Sequence, residues 1–180
     1  MVLSTLALYG FGQSRANSGF NADYREFYDD LKALKIRANL GQLAPPGYTT
    51  SKQTMRIDFN TRSGTTTVAT GYTINDTTTK TFKNGTKIVT ITLQYGVPQT
   101  LTYPQTGVLY LSFVPDSSNY VGPTPLAGSF TAVSYAAPPA PVTGYEIITL
   151  QGQTGITKQI RIDGYTINGN NYYISRIYEQ

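Results

Sequence analysis

The sequence predicts a mainly β protein: an antiparallel β-sandwich or jelly-roll-like body behind one N-terminal amphipathic helix and an extended N-terminal arm. Three observations predict it. Threonine occurs 27 times and tyrosine 15 times in 180 residues, and both suit a pleated, half-buried surface. After residue 48, eight to ten short segments read as strands separated by turn residues, the signature of all-β folds. Only one segment carries a helical period.

Residues 1–20 read as an extended arm. Small residues and three glycines interrupt its apolar side chains, which follow neither a helix nor a strand period. Leu3, Leu6, Leu8, Tyr9, Phe11 and Phe20 are costly to leave in water. They are therefore expected to bind a neighbouring subunit.

Residues 21–41 read as the helix. Asn21 suits its N-cap and Gly41 its left-handed C-cap. Tyr24, Phe27, Tyr28, Leu31, Leu34 and Ala38 form one apolar stripe at three- and four-residue steps. Asp23 and Glu26 near the start, with Lys32, Lys35 and Arg37 near the end, complement the helix dipole. Glu26, Asp29 and Asp30 are expected on a solvated face beside Lys32 and Lys35.

Residues 48–180 read as the β body. In TMRIDFN (54–60), Met55, Ile57 and Phe59 alternate with Thr54, Arg56 and Asp58. Arg62-Ser63-Gly64 turns the chain into TTTVATGYTI. Asn84-Gly85 predicts a hairpin between a strand near 77–83 and one over 86–95, because both residues tolerate positive φ. In the latter strand Ile88, Thr90, Thr92 and Gln94 are expected on one face, and Val89, Ile91, Leu93 and Tyr95 on the other. Pro98 and Pro104 flank a short link before a strand at 108–114. Further strands are expected at 129–135, 145–150, 156–163 and 172–178. Residues 115–143 hold six prolines and form a Pro-rich connection. The 39 residues after Pro141 are too few for a core of their own, so they join the main sheet or a neighbour. Tyr172, Tyr173 and Tyr178 are expected to meet a partner there. A weak echo, MRID…GYTIN (55–75) against IRIDGYTIN (160–168), points to two similar strand-and-turn units.

Chemistry is constrained mainly by exclusion. Histidine, cysteine and tryptophan are absent, which removes the unaided neutral-pH acid–base group and the thiolate nucleophile. Carboxylates alone can run a hydrolase, and Asp58 and Asp163 in their matched RID contexts are the pair to consider. An ion pair with Arg56 or Arg161 is the plainer role for each. No phosphate loop and no metal-ligand spacing occurs. Asn75-Asp76-Thr77 and Asn84-Gly85-Thr86 match the glycan acceptor pattern, but both asparagines suit turns. The chain is therefore expected to be non-enzymatic, with no catalytic, cofactor-binding or metal-binding residues and no cofactor.

Charged residues make up only 13% of the chain, and the net charge is +4. No basic residue falls between Ile88 and Thr157, so no basic patch calls for specific nucleic-acid binding. An acidic protein surface would suit the net charge. No stretch is long and apolar enough for membrane insertion, and the start lacks the basic flank of a signal peptide. A low-charge, Thr- and Tyr-rich surface suits life inside a larger assembly. The apolar arm, the Thr/Tyr-rich β body and the Pro-rich connections resemble, in style, small structural proteins of tailed bacteriophages. That resemblance implies a virion location and a capsid decoration, connector or tail role through symmetric packing with copies of itself and other subunits. A cellular surface, pilus or linker module in the cytoplasm or at the cell surface is the alternative. A carbohydrate-binding domain or carboxylate-based hydrolase is the third.

Overall fold

The computed structural model describes residues 2–40, 53–95, 100–103, 107–113, 119–120, 142–167 and 171–180. One helix, α1 (Val2–Asn39), is followed by twelve strands in those segments. Every pairing among them is antiparallel. The strands are β1 (Gln53–Phe59), β2 (Thr61–Ser63), β3 (Thr66–Val68), β4 (Gly71–Ile74), β5 (Thr78–Thr81) and β6 (Lys87–Tyr95). They continue with β7 (Thr100–Tyr103), β8 (Gly107–Phe113), β9 (Asn119–Tyr120), β10 (Val142–Gln151), β11 (Thr157–Ile167) and β12 (Asn171–Glu179). They form a four-stranded sheet in the order β5-β4-β1-β8, a six-stranded sheet β7-β6-β10-β11-β12-β9, and a two-stranded ribbon β2-β3. An isolated bridge from Ala69 to Ile88 ties the end of the ribbon to β6. The expected antiparallel body is thus present in its coarser form, three open sheets behind one helix. The expected strand at 129–135 and the cap at Gly41 lie outside the described residues.

The extended arm of 1–20 is corrected: the helix runs from Val2, not from Asn21. Asn21 is therefore an interior helical residue rather than a cap. The glycines that argued against a helix each cost only about 1 kcal/mol against alanine, which tertiary contacts further along can offset. One of them is required: a Cβ on Gly19 would collide with the Asn84 side chain. Phe20 extends the apolar stripe by one step, and Phe20, Tyr24, Phe27, Leu31, Leu34 and Ala38 are all buried. They share one core with Met55, Ile57 and Phe59 of β1, Leu111 and Phe113 of β8, and Ile88, Ile91, Ile148, Leu150, Ile160, Ile162 and Ile177 of the six-stranded sheet.

β1 alternates as its sequence requires, with Gln53, Met55, Ile57 and Phe59 inward. It is central because it pairs with β8 along its length and with β4 at Met55 and Arg56. A two-residue turn at Asn75-Asp76, both at positive φ (49° and 52°), joins β4 to β5. The Thr77 N–H closes it on the Ile74 carbonyl at 3.0 Å, the primed turn that matches strand twist. Asn75 is buried: its Oδ1 accepts from Thr54 N at 2.7 Å and its Nδ2 donates to Gln53 Oε1 at 2.8 Å. The turn is thereby fastened to β1, and the Asn75 amide is unavailable to a glycan.

The hairpin expected at Asn84-Gly85 is also corrected. β5 pairs with β4, and β6 pairs with β7 and β10, so the turn is a crossover between the two large sheets. What holds it is Asp23, buried in the middle of α1. Its carboxylate accepts from Lys83 N at 3.3 Å, Asn84 N at 3.0 Å, Asn84 Nδ2 at 3.0 Å and Thr86 Oγ1 at 2.7 Å. Phe82 is buried beside it, edge-on to Phe27 and tilted against Tyr72. With its donors satisfied by the helix, the turn has no need of a β5–β6 ladder.

Two further expectations shift at bulges. Thr149 pairs with Thr90 but Leu150 with Ile88, so Val89 is unmatched. Ile88 and Ile91 consequently both face the core, instead of opposite sides. Between β11 and β12 the unmatched residue is Ser175, which interrupts the alternation expected through 172–178. The segment after Pro141 joins the main sheet in cis, through β10 against β6.

Leu31→Asp is expected to abolish the fold or cost several kcal/mol, because it buries an unpaired charge in the centre of the stripe. Asp29→Ala, at an exposed position, is expected to stay within about 0.5 kcal/mol. Asp23→Ala strands several donors, and each buried one left unsatisfied costs about 1–3 kcal/mol. Denaturant melts of the three variants measure this ordering, and an Asp23→Ala protein as stable as wild type would contradict the role given to the carboxylate.

Candidate functional site

The six successive residues Gly10–Arg15 are all exposed, and Phe11 is 76% exposed. Six residues cover more than one and a half turns, so no side of the helix is buried there. A Cβ placed on Gly10 or Gly12 would meet nothing within 4 Å. The body takes over at Asn17, whose Oδ1 accepts from Thr154 Oγ1 at 2.9 Å in the turn between β10 and β11. Gly19 O then accepts from Asn84 Nδ2 at 3.1 Å, and Phe20 packs on Gly152.

This gradient sorts the residues expected to bind partners. Phe11 is open to a partner. Phe20 is 1% exposed and belongs to the chain's own core, in phase with Tyr24 and Phe27, so its expected role is corrected. Leu3, Leu6, Leu8 and Tyr9 lie in α1, with side chains outside the described set. The same holds for Tyr172 and Tyr173, whose backbones place them on β12 between β11 and β9. Tyr178 donates to Asp163 Oδ2 at 2.9 Å on the outer face of the six-stranded sheet. Ile36 and Leu40, 57% and 68% exposed, were not anticipated. They sit one helical turn apart near the end of α1, off the phase of the buried stripe, and that phase mismatch is the signal that could have marked them.

Asp58 and Asp163 are not brought together as a strand pair. They stand on β1 and β11, in different sheets. Each is held by the arginine two residues before it: Arg56 Nε to Asp58 Oδ1 at 2.9 Å, and Arg161 Nε to Asp163 Oδ1 at 2.6 Å. The arginine partners were expected, though along one strand rather than across two. Around Asp163 a small cluster gathers, with the Arg161 guanidinium 4.1 Å above the Tyr145 ring. The bond to Asp163 holds the Arg161 pKa up. Burial and then that same carboxylate raise the Tyr178 hydroxyl. Glu146 is fully buried on the core face of β10 in line with Ile148 and Leu150. Among the described residues no three metal-ligating side chains gather, and no helix is long and apolar enough to cross a membrane.

The acidic face of α1 is only partly solvated. Lys80 of β5 reaches Asp30 Oδ2 at 2.6 Å and Glu26 Oε1 at 3.0 Å, one turn apart. Tyr72 OH donates to the same Asp30 oxygen at 2.6 Å. Burial, then Asp30, push the Tyr72 hydroxyl far up. Burial opposes charge on Lys80, but its bonds to Asp30 and Glu26 outweigh that and raise its pKa. Of the lysines expected beside that face, the Lys32 ammonium lies 4.3 Å above the Tyr28 ring and has its pKa raised first by Tyr28 and also by the charge of Asp29, while burial lowers the Lys35 pKa. Compared with known proteins, the chain matches no family model, no curated protein and no solved structure.

A raised lysine pKa adds stability that is complete below the ordinary value of 10.5 and is lost as pH rises through the folded value. Lys80→Met is therefore expected to cost about 0.5–1 kcal/mol at neutral pH. The difference from wild type should close in strong alkali. Paired urea melts across that range check it, and a gap that widens with pH would contradict the assignment.

Proposed function

We propose that this chain is a non-enzymatic structural subunit of a large assembly, joined to neighbouring copies through the exposed Gly10–Arg15 stretch of α1. One observation carries the reading: Gly10–Arg15 is helical and exposed on every side, with Phe11 76% exposed. Isolated short helices are marginal in water, and two glycines weaken this one further. A helix of that composition is best supported by a neighbour. At 1.5 Å per residue α1 is about 57 Å long, and among the described residues its buried stripe begins at Phe20. The shared core supports taking the four- and six-stranded sheets as the layers of a sandwich-like body, with α1 beside them.

Of the assemblies the composition suits, a filament of the pilus kind at a cell surface fits this shape best. Helical stems can bundle along an axis while β bodies lie outside, by a head-to-tail contact that repeats without closing. A virion component, whether capsid decoration, connector or tail, is the second reading. It is favoured by the low-charge, Thr-rich surface and would use the same helix as a peg. The carboxylates considered for a hydrolytic role, Asp58 and Asp163, already accept from Arg56 and from Arg161 and Tyr178 respectively.

Phe11→Asp is expected to leave the melt of the body unchanged within about 0.5 kcal/mol. It should raise the concentration needed for self-association at least about tenfold, since burying one Phe contributes ~1.5–3 kcal/mol and 1.4 kcal/mol is a factor of ten. Light scattering over a wide concentration range measures both proteins. A wild-type chain that stays monomeric throughout, or a Phe11→Asp chain that assembles equally well, would sink the proposal. Electron microscopy of the assembled state separates filament from particle.

A further inference from the structure

The crossover turn between β5 and β6 leaves little choice of residue at positions 84 and 85. Gly85 has a φ of 68°, and a Cβ there would run into the Gln153 side chain. Asn84 is exposed, yet its Nδ2 donates both to Asp23 Oδ1 at 3.0 Å and to Gly19 O at 3.1 Å. Its backbone N–H donates to Asp23 Oδ2 at 3.0 Å. A short side chain with two N–H donors on one atom is an asparagine amide. The fold therefore requires Asn followed by Gly. In that dipeptide nothing on the second residue hinders its backbone nitrogen from reaching the amide carbon of the first.

We propose that Asn84 is a site of spontaneous, non-enzymatic deamidation, and that its conversion unfastens α1 from the crossover turn. The Gly85 nitrogen, having given its proton to solvent base, attacks Cγ of Asn84. The new C–N bond closes a five-membered succinimide, and the Cγ–Nδ2 bond breaks, releasing ammonia that carries a proton from solvent. Water then adds to one of the two ring carbonyls and reopens a C–N bond, leaving aspartate or isoaspartate. No oxidant or reductant takes part. Nδ2 is the leaving nitrogen, and both of its hydrogens are held, so the turn must open locally before the ring can close.

Conversion replaces a double donor by an acceptor-only carboxylate. It then faces the Gly19 carbonyl and the carboxylate of Asp23, which is 4% exposed. Like charges so placed, with little water between them, repel strongly. Isoaspartate also inserts a methylene into the backbone after Cα of residue 84, displacing the Thr86 hydroxyl that Asp23 receives relative to the Lys83 and Asn84 N–H groups. Asn75 offers a contrast within the same chain, since it is buried in its turn and followed by Asp76. The dipeptide recurs at Asn168-Gly169, outside the described residues, and is resolved as a separate peptide.

The test holds the full chain in mildly alkaline buffer, folded and in urea, and follows peptides spanning 84 and 168 by mass spectrometry. In urea both convert. In the folded chain Asn84 converts more slowly by about tenfold, the factor that ~1.4 kcal/mol of local opening gives, but it does convert. The acidic species is then separated by ion exchange, and the fraction altered at residue 84 melts several degrees below the unaltered protein. A recombinant Asn84→Asp chain reproduces that drop, and Asn84→Ser shows a smaller one. The aged wild-type fraction carries the test if Asn84→Asp does not fold. An amide at 84 that persists in the folded chain through many half-times of the urea reaction overturns the proposal. So does an altered fraction that melts with the unaltered one.

Discussion

A single buried carboxylate holds the architecture in register. Asp23 collects the donors of a turn at which the chain leaves one sheet and enters the other. Buried carboxylates are rare because desolvation is costly, and they persist when hydrogen bonds replace the lost water. Here that replacement fixes three things together: the height of α1 along the body, the point where β5 ends, and the point where β6 begins. The aromatic contact of Phe27 with Tyr72, at 4.9 Å between ring centroids, and the buried Phe82 fill the space around it. Lys80 adds a second polar tie one to two turns further along the helix. Apolar burial supplies the driving force, while these polar contacts select one arrangement of helix against sheets.

Much of this fold was legible residue by residue. The stripe from Tyr24 to Ala38 and the alternation of Met55, Ile57 and Phe59 follow from the periods 3.6 and 2, and both faces are buried as read but for Tyr28, which is half-buried. Which strands pair was not legible. Asn84-Gly85 announces a tight reversal, but a turn signal says nothing about the ladder on either side, and Asp23 decided that from sixty residues away. Bulges at Val89 and Ser175 change faces without any mark in composition. Phe20 was misplaced because the glycines around it suggested an arm, although its spacing to Tyr24 and Phe27 fits the stripe. Glu146 was readable, since alternation aligns it with Ile148 and Leu150. Of the candidate site, Phe11 was legible as an apolar residue without a local partner. Ile36 and Leu40 were hidden inside a segment already explained by its buried face.

The echo of MRID and IRID proves to be a repeated local device. In each, the residues flanking the arginine are buried, at Met55 and Ile57 and at Ile160 and Ile162. In each, the arginine turns back along its own strand to the aspartate two residues on, Nε to Oδ1. The continuation differs. The first GYTI is a separate strand paired against β1, whereas the second runs straight on as β11. With so few charges in the chain, two of its ten acidic residues are spent on keeping outward-facing arginines close to the sheet. Such self-paired charges leave a flat outer face without large single-sign fields.

The exposed glycine-bearing stretch of α1 gives the molecule two stabilities where a compact domain has one. The body below Asn17 is braced by a shared core. The stretch from Gly10 to Arg15 is exposed on every side, so packing against the body contributes little to its order. Opening there is a local event, decoupled from the global one. In the proposed assembly, docking would include the ordering of helix as well as the burial of Phe11, so each contact would be weaker than its area suggests and more readily undone. A lattice built of such joints would hold by number. It would release or exchange a subunit at its boundary without unfolding the domain that gives the subunit its surface.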